Sequence, residues 1–391
     1  MSTDDRDSTE ITESTESTDA TDSDDSTDTT GGTETTDATE NTDTLETSSR
    51  TENTDSTGVR RTVEYVGIAL VASLAVVMLA FVFLYWLRSY PVAGTAYTQF
   101  MLAAEYLDLL AGTNVFRHPF MWQSMATGVL IGIVAPMVGT FLVHREMALI
   151  GETLAHTAFA GVAIGFLFSA TTDWGISLLL WALVVGVLGA LAVQWLAERT
   201  NTYGDVPIAI MLTGSFAVGT LIISYGRGFT GINIESFLFG NLSIVTVEGA
   251  RLMAVLSVAV VGLVALTYKQ LLFITFDEQA ARVARLNVTW YNTLLIVMTA
   301  VVVVGSMQVL GVILVAAMLV VPVAAASQVA NSFRETLYLS VLFGQIAVIG
   351  GFVLSISMSL PAGGSIVVTA IGIYLLAIAA SSRSMAALST H

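Results

Sequence analysis

From Arg60 onward the chain alternates between long apolar runs and short polar breaks. At 1.5 Å per residue, about 20 helical residues cross roughly 30 Å of hydrocarbon. Runs of that length at 63–87, 121–143, 152–170, 175–197, 206–225, 249–273, 289–306, 308–328, 335–358 and 363–382 predict ten crossings. The division between 289–306 and 308–328 is the least sharp, with its turn expected near Gly305, Ser306, Met307 and Gln308. The fold class this predicts is all-α, a polytopic membrane bundle of about nine or ten helices. Two stretches break the pattern. Residues 94–118 mix Tyr97, Phe100, Tyr106 and Leu110 with Glu105 and Asp108, and read as an interfacial helix on the outer face. Residues 231–246 are too short to cross, and read as a short outer helix or a re-entrant piece under protein cover.

Composition supports lipid over water as the solvent. Hydrophobic residues make up 54% of the 391 and charged residues 12%, where soluble domains carry about 25% charged. The net charge of −16 is confined to one segment. Residues 1–57 hold 18 acidic residues against Arg6 and Arg50, and Ile11 and Leu45 are the only large apolar residues after Met1. Such a segment cannot bury enough surface to offset its ordering entropy, so a disordered acidic tail is expected. It has no signal-peptide pattern, and it resembles the solvated extensions of salt-loving (halophile) proteins more than a docking tail. The remainder is electrically balanced, with 13 acidic and 13 basic residues. Cysteine is absent, so any metal must meet His, carboxylate or backbone oxygen.

Loop charges set an orientation. With the N-terminus inside, Arg60, Arg61, Arg145, Arg199, Lys269, Arg282, Arg285, Arg334 and Arg383 fall at cytoplasmic ends. Arg88, Arg117, Arg227 and Arg251 fall outside, and nine against four favours this orientation, with both termini cytoplasmic.

Ionisable groups inside hydrocarbon are expensive and therefore point to function. Glu152 and His156 are spaced i, i+4, which places both on one helical face about 5–6 Å apart at Cβ. A carboxylate and an imidazole so placed can share one divalent cation. Counted from Arg145 they lie about 10–16 Å in, near the depth where transporters hold cargo. The plainer readings are that they bond each other and pin two helices, or that the helix begins at Glu152, which then caps it in water. His118, His144 and His391 read as ordinary surface groups. Glu235 and Glu248, on the predicted outer side, are candidates for a cation entrance, or else solvated helix-end carboxylates. The scattered Met residues read as packing, and Gly128/Gly132 and Gly305/Gly311 as sites of close helix contact.

The segment Phe276 to Val288 is charged, Ala-rich and free of Gly and Pro, so it predicts a short amphipathic helix between spans. Asp277 and Glu278 at its start and Arg282 and Arg285 later suit the helix dipole. With Phe276 and Ala281 they form the candidate docking surface for a soluble partner. No phosphate-binding loop occurs, and Lys269, the only lysine, is not in such a setting. The chain is therefore not expected to be an enzyme that hydrolyses ATP. Energy must come from a gradient or another subunit.

Several segments together resemble the zinc/manganese/iron ABC permease family, the membrane subunits of metal importers. Arg145-Glu146-Met147-Ala148 and Gly151-Glu152-Thr153-Leu154-Ala155-His156-Thr157-Ala158, leading to Gly161-Val162-Ala163, are similar to that family's Arg-Arg-Met-Ala and Gly-Asp-x-Leu-Ser-His-Ala, then Gly-Val-Ala. Phe237-Leu238-Phe239-Gly240, Phe276-Asp277 with Ala281, Val309-Leu310-Gly311 through Pro322, and Leu360-Pro361-Ala362-Gly363-Gly364-Ser365-Ile366 follow in family order. The resemblance implies a type II ABC importer-like permease domain at 119–383. The tail at 1–57, an extra N-terminal transmembrane helix at 58–90 and a linker with an interfacial helix at 91–118 lie before it. It also implies a homodimer with a central path, cytoplasmic ABC ATPase subunits and an extracellular metal-binding protein. It maps the family's metal-handling Asp and His onto Glu152 and His156, and makes 276–288 the coupling helix. Three departures stand out: Glu152 for Asp, Ala155 for Ser, and Arg285 where the family has Gly. The expected function is import of zinc, manganese or iron across the cell membrane. The ion is cargo, with no tightly bound cofactor and no nucleic-acid partner. A permease for a metal chelate, of siderophore or cobalamin type, a gradient-driven carrier and a membrane scaffold are the alternatives.

Overall fold

The computed structural model describes residues 65–112, 114–171, 178–199, 206–225, 245 and 247–388. The acidic tail, Glu235 and the Phe237–Gly240 motif lie outside them. Every element among the described residues is α-helical. In chain order these are α1 (Tyr65–Trp86), α2 (Pro91–Ala111), α3 (Pro119–His144), α4 (Ile150–Thr171), α5 (Leu178–Arg199), α6 (Val206–Tyr225), α7 (Val247–Phe276), α8 (Glu278–Val283), α9 (Val288–Leu310), α10 (Val312–Ser327), α11 (Phe333–Met358) and α12 (Ala362–Leu388).

Nine of these are long and apolar enough to span a membrane, and the protein is a multi-pass membrane protein. The expected tenth crossing is corrected in detail. Helix α9 continues past the expected turn at 305–308 and breaks at Gly311, whose φ of 80° and ψ of 162° few side-chain-bearing residues adopt. The following helix, α10, has only 16 residues, about 24 Å, and is too short to cross alone. It is a return limb. Asn292 near the start of α9 and Phe333 just after α10 both reach the end of α3, through Arg145 and His144 respectively. The pair therefore leaves and returns to one side, which keeps the downstream helices in the expected sense.

Helix α3 is the central post, with 89% of its apolar window buried, and it packs on α7, α9, α10 and α11. Its core side chains Ile131, Val134, Val138 and Phe141 join Leu154 of α4, Leu295 of α9 and Met318 of α10 in one cluster. Small residues set the spacing. A Cβ on Gly139 would land on the backbone carbonyl of Leu319, and a Cβ on Gly344 would meet Gly132 and the Pro136 ring. Pro136 removes an N–H from the ladder, and the kink region is where α11 comes closest. A Cβ added at Gly128, Gly132 or Gly305 would likewise crowd its neighbours, as close-contact positions should.

The N-terminal pair is docked by aromatic packing. Phe81 of α1 sits among Tyr97, Phe100 and Trp122, and Trp122 donates its indole N–H to the Phe116 carbonyl at 2.6 Å. The Asp108 carboxylate is fully buried and accepts three backbone N–H groups, from Val115, Phe116 and Arg117, which fold the linker back onto α2. Helix α2 thus has one docked face, while Leu102, Tyr106, Leu109 and Leu110 are exposed on the other, the pattern expected of an interfacial helix.

A residue that must stay small at a backbone-to-backbone crossing should resist change more than one in open space. Gly139→Ala is expected to destabilise the protein by about 1–3 kcal/mol, the usual overpacking penalty, read as a lower Tm in detergent. Gly372→Ala, with nothing within 4 Å, should leave the Tm unchanged or raise it slightly.

Candidate functional site

Helix α4 carries the predicted pair. It starts at Ile150, later than a count from Arg145 assumes, so Glu152 lies in its first turn, where the helix dipole favours a carboxylate. That start is nonetheless inside the bundle. The side chain of Leu319 meets Gly151 while its backbone meets Gly139. Gly139 lies five residues before the end of α3 and Leu319 eight before the end of α10. At 1.5 Å per residue, the first turn of α4 sits about 8–12 Å inside those ends. Glu152 is not a solvated cap at the rim.

The surroundings of α4 fix which face is open. Gly161 and Gly165 lie against Trp181, Ala182 and Val185 of α5, and Gly219 of α6 lies against Phe159 and Ala160. The Thr153 hydroxyl reaches the Ile208 carbonyl at 3.3 Å, and the Thr157 hydroxyl lies 3.0 Å from that of Ser215. Between Ile150 and Ala163 every position is buried except Glu152 and His156. The two open positions of that stretch are the ones bearing the carboxylate and the imidazole.

His156 Nε2 lies 3.9 Å from Glu152 Oε1, and their side chains are 18% and 47% exposed. That is too long for a hydrogen bond, so the two do not simply satisfy each other. Donors each about 2.1 Å from one ion are at most about 4.2 Å apart, so this separation suits a shared cation. The Phe216 edge packs on the imidazole at 5.0 Å, and Nδ1 is buried without a hydrogen-bond partner. Among the described residues no three His, Asp or Glu side chains form a metal cluster. The described residues thus bring together two candidate ligands, fewer than a closed site needs.

Glu248 is exposed in the first turn of α7, on the opposite side of the bundle from the α8 face, and is not brought to the pair. Glu235 lies outside the described residues.

The segment 276–288 is not one helix, which corrects the expected boundaries. Asp277 caps α8 by accepting from the Ala280 N–H at 2.8 Å, and Asn287 caps α9 by accepting from Trp290 at 3.1 Å. Six helical residues lie between, with Glu278 and Arg282 paired at 2.6 Å. Ala281 is fully buried with Ile274 and Val288, whereas Phe276 and Val283 are 66% and 85% exposed. Helix α8 ends in a Schellman turn: Leu286 N–H donates to the Ala281 carbonyl and Arg285 N–H to that of Arg282. Arg285 has φ of 60° there, the left-handed conformation glycine adopts freely.

Residues missed in the sequence connect this segment to α4. His144 packs against Phe276 and Phe333. Arg145 donates to Asn292 Oδ1 at 2.7 Å, and burial lowers its pKa from the ordinary value while the nearby Glu278 carboxylate raises it. It stays protonated, a fixed charge between α3, α8 and α9. Phe216 and Ser215 lie some 60 residues from their partners on α4, and no local pattern marks them.

Residues 117–381 match the model of the ABC 3 transport family. The chain belongs to that family. The resemblance read from its motifs is thus borne out over two thirds of the sequence. The manganese transport system membrane protein MntC of Halalkalibacterium halodurans is 30% identical over 264 residues, 68% of this chain and 88% of that one. The manganese import system permease protein ScaB of Streptococcus gordonii is 30% identical over 268 residues, 68% of this chain and 93% of that one. Among solved structures, PsaBC from Streptococcus pneumoniae in complex with Fab aligns with a TM-score of 0.60 at 32% identity, covering 70% of this chain and 95% of that one. An inward-facing putative metal-chelate type ABC transporter aligns at 0.51 and 15% identity over 66% of this chain and 85% of that one, which shows the shared fold alone. Helices α1 and α2 precede the family match.

A non-glycine residue at the left-handed position of a Schellman turn costs about 1–2 kcal/mol. Arg285→Gly should therefore tighten α8, slowing amide hydrogen exchange across 278–286, and Arg285→Val should speed it.

Proposed function

We propose that the chain is the membrane-spanning permease subunit of an ABC importer for a divalent transition metal, with manganese the ion its relatives favour. The observation that carries this reading is the Glu152/His156 pair, the two open positions in the buried stretch Ile150 to Ala163 of a helix that begins inside the bundle. Carboxylate oxygen and neutral imidazole nitrogen suit manganese, zinc and iron alike, and the names of the relatives tip the choice.

Two such chains related by a two-fold axis would present four protein ligands, two from each, across a shared path. The pair then forms a transient, incompletely closed site, because a full cage would hold the ion too tightly to release it. A chelate of siderophore or cobalamin type calls for a wider, uncharged path, which the exposed carboxylate disfavours.

Energy comes from a separate ATPase, since no phosphate-binding loop exists in the sequence. Helix α8, with Phe276 and Val283 projecting, is the docking element for that ATPase. A metal-binding protein delivers the ion on the opposite face. Described basic residues concentrate on the α8 face, at Arg145, Arg199, Arg282, Arg285 and Arg334, with Arg88, Arg117 and Arg251 on the other. That asymmetry supports a cytoplasmic α8, with the start of α1 on the same side.

In the reconstituted permease–ATPase complex, Glu152→Ala and His156→Ala should each lower manganese uptake at least tenfold, while Glu152→Asp retains much of it. Uptake at a fixed metal concentration should fall on acidification, because a protonated imidazole cannot bind metal. Full uptake by the double alanine variant would sink the assignment of the site.

A further inference from the structure

Helix α1 packs on the permease core near both of its ends and less closely between, where Leu74 is only partly buried. Near one end Gly67 faces the Leu342 side chain, at a distance where a Cβ would lie 3.5 Å away. At the other, Met78, Phe81 and Val82 are buried against Trp122, Val129 and Ala254. Between these contacts runs a crevice of about 760 Å³. Ala72 and Ala75 form one wall, Ile133 and Met137 of α3 its floor, and Val261 and Leu342 its flanks. Its polar end is lined by Tyr338 and Glu335, near the start of α11 and so on the side of α8.

The possible occupants differ in size and polarity. Water does not stably fill an apolar cavity at membrane depth. The contacts of Gly67 with Leu342 and of Phe81 with Trp122 hold α1 against the core at both ends, which leaves no room for a second helix, about 10 Å across, to enter between them. The residues ahead of α1 are acidic and polar, unsuited to an apolar slot. A hydrocarbon chain matches the space, the lining and the surrounding solvent.

The mouth supplies a charge partner for such a chain's headgroup. Arg334 is exposed there, with its Nε 3.1 Å from the Tyr338 hydroxyl and its guanidinium 5.4 Å from that ring. Glu335 is drawn into its own helix cap by the Asn331 N–H at 2.8 Å. A guanidinium held on a tyrosine at headgroup level is a phosphate-binding arrangement.

We propose that the crevice between α1 and the permease core holds one chain of a phospholipid from the leaflet on the α8 side, with its phosphate at Arg334. The lipid would complete the seat of a helix that lies outside the family match, beside the direct aromatic packing at Phe81.

The test uses the full chain in nanodiscs containing phosphatidylglycerol with a diazirine midway along one acyl chain. Photolysis followed by peptide mapping is expected to enrich adducts at least fivefold at Ala72, Ala75 and Val261 over Val368 and Leu375, which are exposed on α12. Ala75→Trp, which fills the crevice, should remove that enrichment. Leu375→Trp should not, and matching melting curves will show that both variants fold. Arg334→Gln should lower the lipid retained per chain in native mass spectra about threefold or more. Uniform labelling, enrichment that survives Ala75→Trp, or chain-to-chain crosslinks from Ala75 would overturn the proposal. The buried Ser257 hydroxyl, unpartnered in the crevice wall, gives one further check. Its replacement by alanine should leave retention unchanged, and a loss would mean a polar ligand instead.

Discussion

Hydrocarbon offers no hydrogen bonds, and that single fact orders this molecule. Backbone groups are satisfied within helices. Side-chain hydroxyls in the spans turn back to their own helix: Thr127, Thr140, Thr157, Thr267, Thr299 and Thr369 each donate to the carbonyl four residues earlier. Gln345 donates to the Val129 carbonyl across the α3–α11 crossing, at 2.8 Å. Against that background Glu152 and His156 are different in kind. They are ionisable, they do not hydrogen-bond each other, and they are the only positions between Ile150 and Ala163 that are not buried.

These two positions stand out because the rest of that stretch is closed by small residues. Leu319 fits between Gly139 and Gly151, Thr157 against Gly189, and Phe159 against Gly219. Dispersion scales with close contact, so these crossings hold α4 rigidly on three sides. A rigid wall is what a shared ligand pair needs, since a shift of about half an ångström would carry donors 3.9 Å apart past the limit of about 4.2 Å for one ion. The same small residues that make the bundle tight thus set the geometry of its most polar spot.

Much of this was legible in the sequence, and the failures have physical reasons. The spans came from length and hydropathy, which lipid enforces strongly. The pair at 152 and 156 came from the helical period. The α9–α10 division was misplaced by a few residues because apolarity is continuous from 289 to 328, and only the backbone angle at Gly311 decides where the chain turns. The coupling segment was read as one helix because it lacks Gly and Pro. Asn287 is a helix-starting residue by type, and would have shortened the estimate had it been weighed. Arg285 was noted as a departure from glycine, and its left-handed backbone shows why glycine is usual there. Phe216, Ser215 and Asn292 carry no local signal, since their partners lie 58 to 147 residues away and tertiary packing alone joins them.

The route from the proposed docking face to the ligand pair is short, and it runs through strained turns. Helix α3 ends in a Schellman turn like that of α8, with Met147 N–H on the Leu142 carbonyl and Glu146 N–H on that of Val143. Its left-handed position is again filled by a non-glycine, Glu146, at φ of 58°. Three residues after Met147 helix α4 begins, and Glu152 is in its first turn. Arg145, one residue before the strained position, is held by Asn292 at the start of α9 and feels the charge of Glu278 on α8. A displacement of α8 therefore acts on the α3–α4 turn through a buried charge and a side-chain hydrogen bond, rather than through loose loop. Because the turn carries backbone strain at one residue and α4 is packed tightly beyond it, a displacement there is passed to α4 as a body, beginning with its first turn. That is the turn on which the carboxylate rides.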